Sequence, residues 1–208
     1  MPVILCYGDS NTWGSDPETG SRFAPSVRWT GVLASQLGPG FTVIEEGLNG
    51  RTTNLEDGIE EHRDGRSYLP ACLESHRPFD VITIMLGTND LKERFHRSAS
   101  DIAQSAAALG TLARRSGCGI AGAAPEVLLI APPPLTSSPG FSEMLAGGIE
   151  KSERFGERYA FFANRYGLHF LDAGIVIESS PIDGVHFQAA EHHKLGLAVA
   201  DRIREITG

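Results

Sequence analysis

Val3-Ile4-Leu5-Cys6-Tyr7 runs directly into Gly8-Asp9-Ser10-Asn11-Thr12-Trp13-Gly14. Five consecutive β-favouring, largely apolar residues describe a strand covered on both faces, because a half-exposed strand would alternate with polar residues. The glycine and aspartate that follow stop the strand and turn the chain toward a helix. A strand that enters a helix through a tight turn is the opening of a βαβ unit, which makes the rest of the chain readable as repeats of the same arrangement.

Working outward, further short β-rich runs occur at 41–44, 81–86, 127–131 and 168–171. Between them lie segments of helical period. Trp29, Val32, Leu33, Gln36 and Leu37 end at Gly38, and Ile102, Ala106, Leu109 and Ala113 share one face. Phe155, Tyr159, Phe162 and Tyr166 form a third stripe, and Leu195, Val199, Ile203 and Ile206 a fourth. The alternation predicts a doubly wound three-layer α/β/α sandwich with a five-stranded parallel sheet, flavodoxin-like, with at least four helices. One domain over residues 1–208 is expected, since a chain of this length buries a sizeable core without needing a second one. Two loops are longer than a connection needs, 15–26 and 132–148, and either a pocket wall, an oligomer contact or a merely solvated loop accounts for them.

The formal net charge is -8, and the 18 Lys and Arg are scattered. This argues against nucleic acid or an anionic membrane as partner and favours a small molecule. No apolar run approaches the roughly 20 residues of a membrane helix. The start of the chain lacks a basic segment followed by a long apolar stretch, and three cysteines (Cys6, Cys72, Cys118) are too few for a disulfide framework, so a cytoplasmic location is expected.

A doubly wound sheet places its ligand crevice at the carboxyl ends of the strands. Ser10 stands there, after the first run, but a serine alone is as often a helix cap as a nucleophile and needs a base and a group that orients the base. Asp183-Gly184-Val185-His186 offers both, because the carboxylate can accept the ring N–H of a histidine three residues on. Acyl transfer also needs donors for the developing oxyanion. The backbone N–H of Gly50, the side-chain amide of Asn89 and the N–H of Ser10 are candidates, each following a strand. Asp9 is read as a stabiliser of the turn and Asp90 as a helix-start residue. His192-His193 is not read as a metal site, since neighbouring helical residues face different ways, and neither GxxxxGK[ST] nor GxGxxG is present to bind a nucleotide.

The four blocks around Ser10, Gly50, Asn89 and His186 together resemble the SGNH hydrolases, or GDSL esterases, in which serine, glycine, asparagine and histidine follow in this order. The resemblance spans the whole chain. It implies Ser10 as nucleophile, Gly50 and Asn89 as oxyanion donors, Asp183 as orienter and His186 as base, with no cofactor and no metal. Asn11 stands where the common motif has leucine, and Asn11 and Trp13 are expected to line the substrate pocket. Arg28-Trp29-Thr30-Gly31-Val32-Leu33, Glu45-Glu46-Gly47-Leu48 and Arg51-Thr52-Thr53-Asn54 are similar to the arylesterase and acyltransferase branch. That likeness implies hydrolysis of short-chain, acetyl-like esters, acyl transfer to alcohols, and a homo-oligomer, up to an octamer. A carbohydrate O-deacetylase using the same triad and a non-catalytic acyl-binding relative are the alternatives.

Overall fold

Uninterrupted apolar runs become central strands only when helices cover both sides, and that is the arrangement seen in the computed structural model, which describes residues 1–138 and 140–208. Pro139, within the long 132–148 loop, lies outside the described residues. Among the described residues the strands are β1 (Val3–Gly8), β2 (Thr42–Gly47), β3 (Val81–Met85), β4 (Glu126–Ala131) and β5 (His169–Asp172). All pair in parallel, in the order β2-β1-β3-β4-β5. Leu5 sits between Ile44 and Ile82 in register, so the centre of the sheet is apolar across three strands.

The helices are α1 (Ser10–Trp13), α2 (Trp29–Leu37), α3 (Gly65–His76), α4 (Ala99–Arg114), α5 (Gly148–Ser152), α6 (Phe155–Tyr166) and α7 (Ala189–Thr207). Side chains alternate across a strand, so each strand feeds two cores. Leu5, Tyr7, Ile82, Ile84, Val127 and Leu129 pack with α3, α4 and α6 on one face. Ile4, Cys6, Val81, Met85, Leu128 and Ile130 pack with α2 and α7 on the other.

The run 168–171 begins one residue before β5 and 41–44 covers only the start of β2, differences confined to strand ends. Helix α3 is absent from the sequence reading. Pro70 lies inside it, which breaks the usual helical signature because proline contributes no N–H, yet Leu69, Cys72 and Leu73 bury one face. The available signal was Asp64, whose side chain accepts from the N–H groups of Arg66 and Ser67 as an N-cap.

The strand order reverses between β2 and β3, on either side of β1, and the crevice opens there at the carboxyl ends. Ser10 follows β1, Gly50 follows β2, Asn89 follows β3, and the Asp183–His186 turn lies between β5 and α7. No helix among the described residues is long and apolar enough to cross a membrane.

Candidate active site

Ser10 is the first residue of α1, whose N-cap is Asp9. The Asp9 carboxylate accepts the N–H of Asn11 at 3.0 Å, and its carbonyl accepts from Thr12 and Trp13 at 3.1 and 2.9 Å. Asp9 thus fixes the turn, as expected. Burial pushes its carboxyl up to about 6, against the opposing effects of the Asn11 N–H and the charges of His186 and Arg51.

At the other end of the chain, Asp183 folds a compact turn onto itself. One oxygen accepts the N–H groups of Val185 and His186, both at 2.9 Å, and the other lies 2.6 Å from His186 Nδ1. With Nδ1 donating to the carboxylate, Nε2 carries the lone pair, and Nε2 lies 2.9 Å from Ser10 Oγ. Burial alone would raise the Asp183 carboxyl; the bond to His186 and the two backbone N–H groups outweigh it and hold the group below its ordinary value. Gly184 permits the turn: its φ is +80°, and a Cβ there would stand 2.4 Å from the carbonyl oxygen of Thr136.

Asn89 opens a short helical turn after β3 and donates one amide hydrogen to the carbonyl of Arg51 at 3.1 Å, which leaves the second hydrogen for a ligand. Among the described residues the N–H groups of Ser10 and Gly50 have no backbone acceptor in the protein. Gly50 (φ +76°) shares the wall of one cavity with Ser10, Asn89, Asp183 and His186. These remote segments therefore meet at one place. Nucleophile, base, orienter and three candidate donors can serve acyl transfer there.

The cavity holds about 430 Å³ and is walled by both long loops: Asp16 and Pro17 from the first, Phe141, Met144 and Leu145 from the second. The ring of Phe141 meets that of His186 edge-on, with centroids 6.3 Å apart. A larger cavity of about 640 Å³, between α3 and α4, contains no member of this group.

Asn11 and Trp13 do not line the cavity, which corrects the sequence expectation. Successive helical residues point about 100° apart, so residues following Ser10 in α1 turn away from it. Asn11 is buried and donates its amide to the carbonyl of Val185 at 3.3 Å, joining the serine turn to the histidine turn. Trp13 lies to the side, its ring 5.1 Å from the Arg22 guanidinium.

Sequence reasoning missed three supports. Arg51 donates from one nitrogen to the carbonyls of Gly8 and Glu46, at 2.9 and 2.5 Å, and its guanidinium lies 4.2 Å from the centroid of Tyr7, so its own carbonyl is fixed where Asn89 needs it. Asp90 is a buried acceptor for the N–H (2.9 Å) and hydroxyl of Thr53, not simply a helix-start residue, and burial pushes its carboxyl up to about 7. Lys92, 2% exposed at its side chain, lies on the cavity wall and pairs with Asp57 at 2.8 Å. The signal for the first two was the polar Arg51-Thr52-Thr53 stretch a few residues after a strand. His192 is a core residue, with Nδ1 accepting from the Trp29 N–H at 3.2 Å, while His193 is exposed. Burial pushes the His192 imidazole down to about 4, so it is neutral.

The chain is also similar to known proteins. Residues 6–194 match the GDSL-like lipase/acylhydrolase family. The chain is similar to the solved aryl esterase of M. smegmatis, with 45% identity, TM-score 0.94, and 99% of this chain and 100% of that chain covered. It is similar to a carbohydrate acetylesterase from Sinorhizobium meliloti at 40% identity, TM-score 0.94, with 99% and 100% covered. A member of the lipolytic G-D-S-L family from Veillonella parvula shares the fold at 13% identity, TM-score 0.64, with 97% of each chain covered. No curated protein matches. With the serine, histidine and aspartate assembled at the strand ends and nearly the whole chain matched, the protein belongs to the GDSL-like lipase/acylhydrolase family and is a serine esterase acting on acyl esters.

Proposed function

We propose that the protein hydrolyses short-chain, acetyl-like esters of small molecules through an acyl-enzyme on Ser10. The observation that carries this reading is the unbroken line from Asp183 through His186 to Ser10, at 2.6 and 2.9 Å. His186 takes the Ser10 proton as Oγ attacks the carbonyl carbon. The oxyanion is received by the N–H groups of Ser10 and Gly50 and the free amide hydrogen of Asn89. His186 then returns the proton to the leaving alcohol, and a water, deprotonated by the same imidazole, releases the acid. Asp183 stays ionised and stabilises the imidazolium. This chemistry needs no cofactor. Phe141, Met144 and Leu145, rather than Asn11 and Trp13, supply the apolar wall for the acyl group.

The test is turnover of an aryl acetate by wild type and by Ser10→Ala, with a fluorophosphonate probe alongside. A loss on the order of 10⁶ in kcat, with labelling of wild type only, is expected. Near-wild-type turnover by the variant rejects the mechanism, and failure of wild type to label favours a non-catalytic acyl-binding protein.

A specific observation favours a second reading, deacetylation of a carbohydrate: Asp16, Asn49 and Glu60 give the same cavity polar groups suited to hydroxyls. Acetylated sugar oligomers competing against aryl acetate separate the two. Acyl transfer to alcohols and homo-oligomerisation belong to the same proposal. Three buried, unpaired thiols support a reducing, cytoplasmic setting.

A further inference from the structure

We propose that Glu46, Cys72 and His76 form a binding site for one divalent transition-metal ion of the zinc kind, outside the acyl-transfer cleft. The three ligand atoms lie within 4.8 Å of one another. Cys72 and His76 are four residues apart on α3 and so share a face, and Glu46, in β2, stands opposite them. Nothing in the sequence reading anticipates α3, the helix that gives Cys72 and His76 their common direction.

The donor set selects the ion. A thiolate, an imidazole and a carboxylate are ligands that zinc accepts, with a water in the fourth position of a tetrahedron. Magnesium and calcium prefer oxygen and leave a thiol unused. The Cys72 side chain is buried, while those of Glu46 and His76 are 18% and 27% exposed, so an ion reaches the thiol from the histidine side. The Tyr68 hydroxyl donates to Glu46 Oε2 at 3.3 Å, a support that orients the carboxylate and leaves Oε1 toward the site.

Without an ion, His76 Nε2 lies 2.7 Å from Glu46 Oε1. Bonds of about 2.0 Å to nitrogen or oxygen and 2.3 Å to sulfur place ligand atoms roughly 3.5 Å apart, so that pair opens slightly as the cluster closes around the ion. Binding replaces the Sγ–H bond of Cys72 by a metal–sulfur bond and releases that proton to water; His76 presents the Nε2 lone pair, and nothing is oxidised or reduced. The two anionic ligands balance the ion.

The experiment adds Co²⁺ and then Zn²⁺ to the full chain. One equivalent of Co²⁺ is expected to produce a near-ultraviolet thiolate-to-cobalt charge-transfer band with visible bands of tetrahedral cobalt, and Zn²⁺ to displace it. Cys72→Ala should abolish the band, and both Cys72→Ala and His76→Gln should weaken Zn²⁺ binding at least tenfold and remove the rise in Tm that Zn²⁺ gives wild type. Aryl acetate turnover without metal should be unchanged in His76→Gln, which also carries the test if Cys72→Ala does not fold. Absence of the sulfur band in wild type, or equal Zn²⁺ affinity in wild type and variants, overturns the proposal.

Discussion

The turn that presents Ser10 and the turn that presents His186 meet at one hydrogen bond but are held by different means. The serine turn is tied largely by local bonds: Asp9 caps Asn11, accepts from Thr12 and Trp13, and Gly14 closes back on Ser10 at 2.8 Å, while Arg51 and Arg22 hold the flanking carbonyls of Gly8 and Trp13. The histidine turn has a local part, in the bonds of Asp183, and a distant part. The Thr136 N–H donates to the Gly184 carbonyl at 3.0 Å, its hydroxyl to Ser180 at 2.9 Å, the Ser138 hydroxyl to Ile182 at 3.0 Å, and the Asn11 amide to Val185. One long loop therefore walls the pocket and also straps the base. The Ser10 turn, held mostly by neighbours in sequence, is expected to respond less to remote change than the His186 turn, which a distant loop straps.

The largest effect that breaks this comparison is expected from Asp183→Asn. The amide keeps the shape of the turn but favours the wrong imidazole tautomer, and kcat should fall about 10⁴-fold. Rapid turnover with Asp183→Asn would mean that His186 does not need the orienter. Next comes Gly184→Ala, where a Cβ must enter a left-handed backbone against the Thr136 carbonyl. A stability loss of roughly 1–3 kcal/mol by urea unfolding is expected, together with reduced kcat as the turn shifts. An unperturbed midpoint would show that the strap yields freely.

The smallest and most graded effect is with pH. Asp9 and Asp90 have folded values raised to about 6 and about 7, so their contribution to stability is full below pH 4, where the unfolded carboxyls are also protonated, and is lost as pH rises toward 7. Asp183 is lowered, so its contribution is present above pH 4 and is lost on further acidification. Urea unfolding between pH 4 and 7 should therefore show a shallower fall for Asp9→Asn than for wild type. Identical slopes would place the proton of Asp9 outside the stability of the serine turn.

Much of this was legible in the chain. The strand runs beginning at Val3, Val81 and Val127 are apolar on both faces because both faces are covered, and a continuous run leaves few other readings. The pair Asp183 and His186 could be read because its geometry is local, three residues around a glycine. Helix α3 could not, since Pro70 obscured it and the burial of Leu69 and Leu73 that stabilises it comes from the sheet and α4. The misplacement of Asn11 and Trp13 has a similar origin: nearness to Ser10 in sequence fixes distance but not direction.

By itself the sequence determined the layers, the strand positions and the chemical types at Ser10, Gly50, Asn89, Asp183 and His186, because periodicity and local turns are short-range properties of the chain. Only the tertiary structure decided what lines the pocket, which loop straps the His186 turn, that Arg51 and Asp90 anchor the segments carrying Asn89 and Thr53, and that Glu46 stands across from Cys72 and His76. Those relations join residues tens to more than a hundred positions apart, and packing of helices on both faces of one sheet is what brings them within bonding distance.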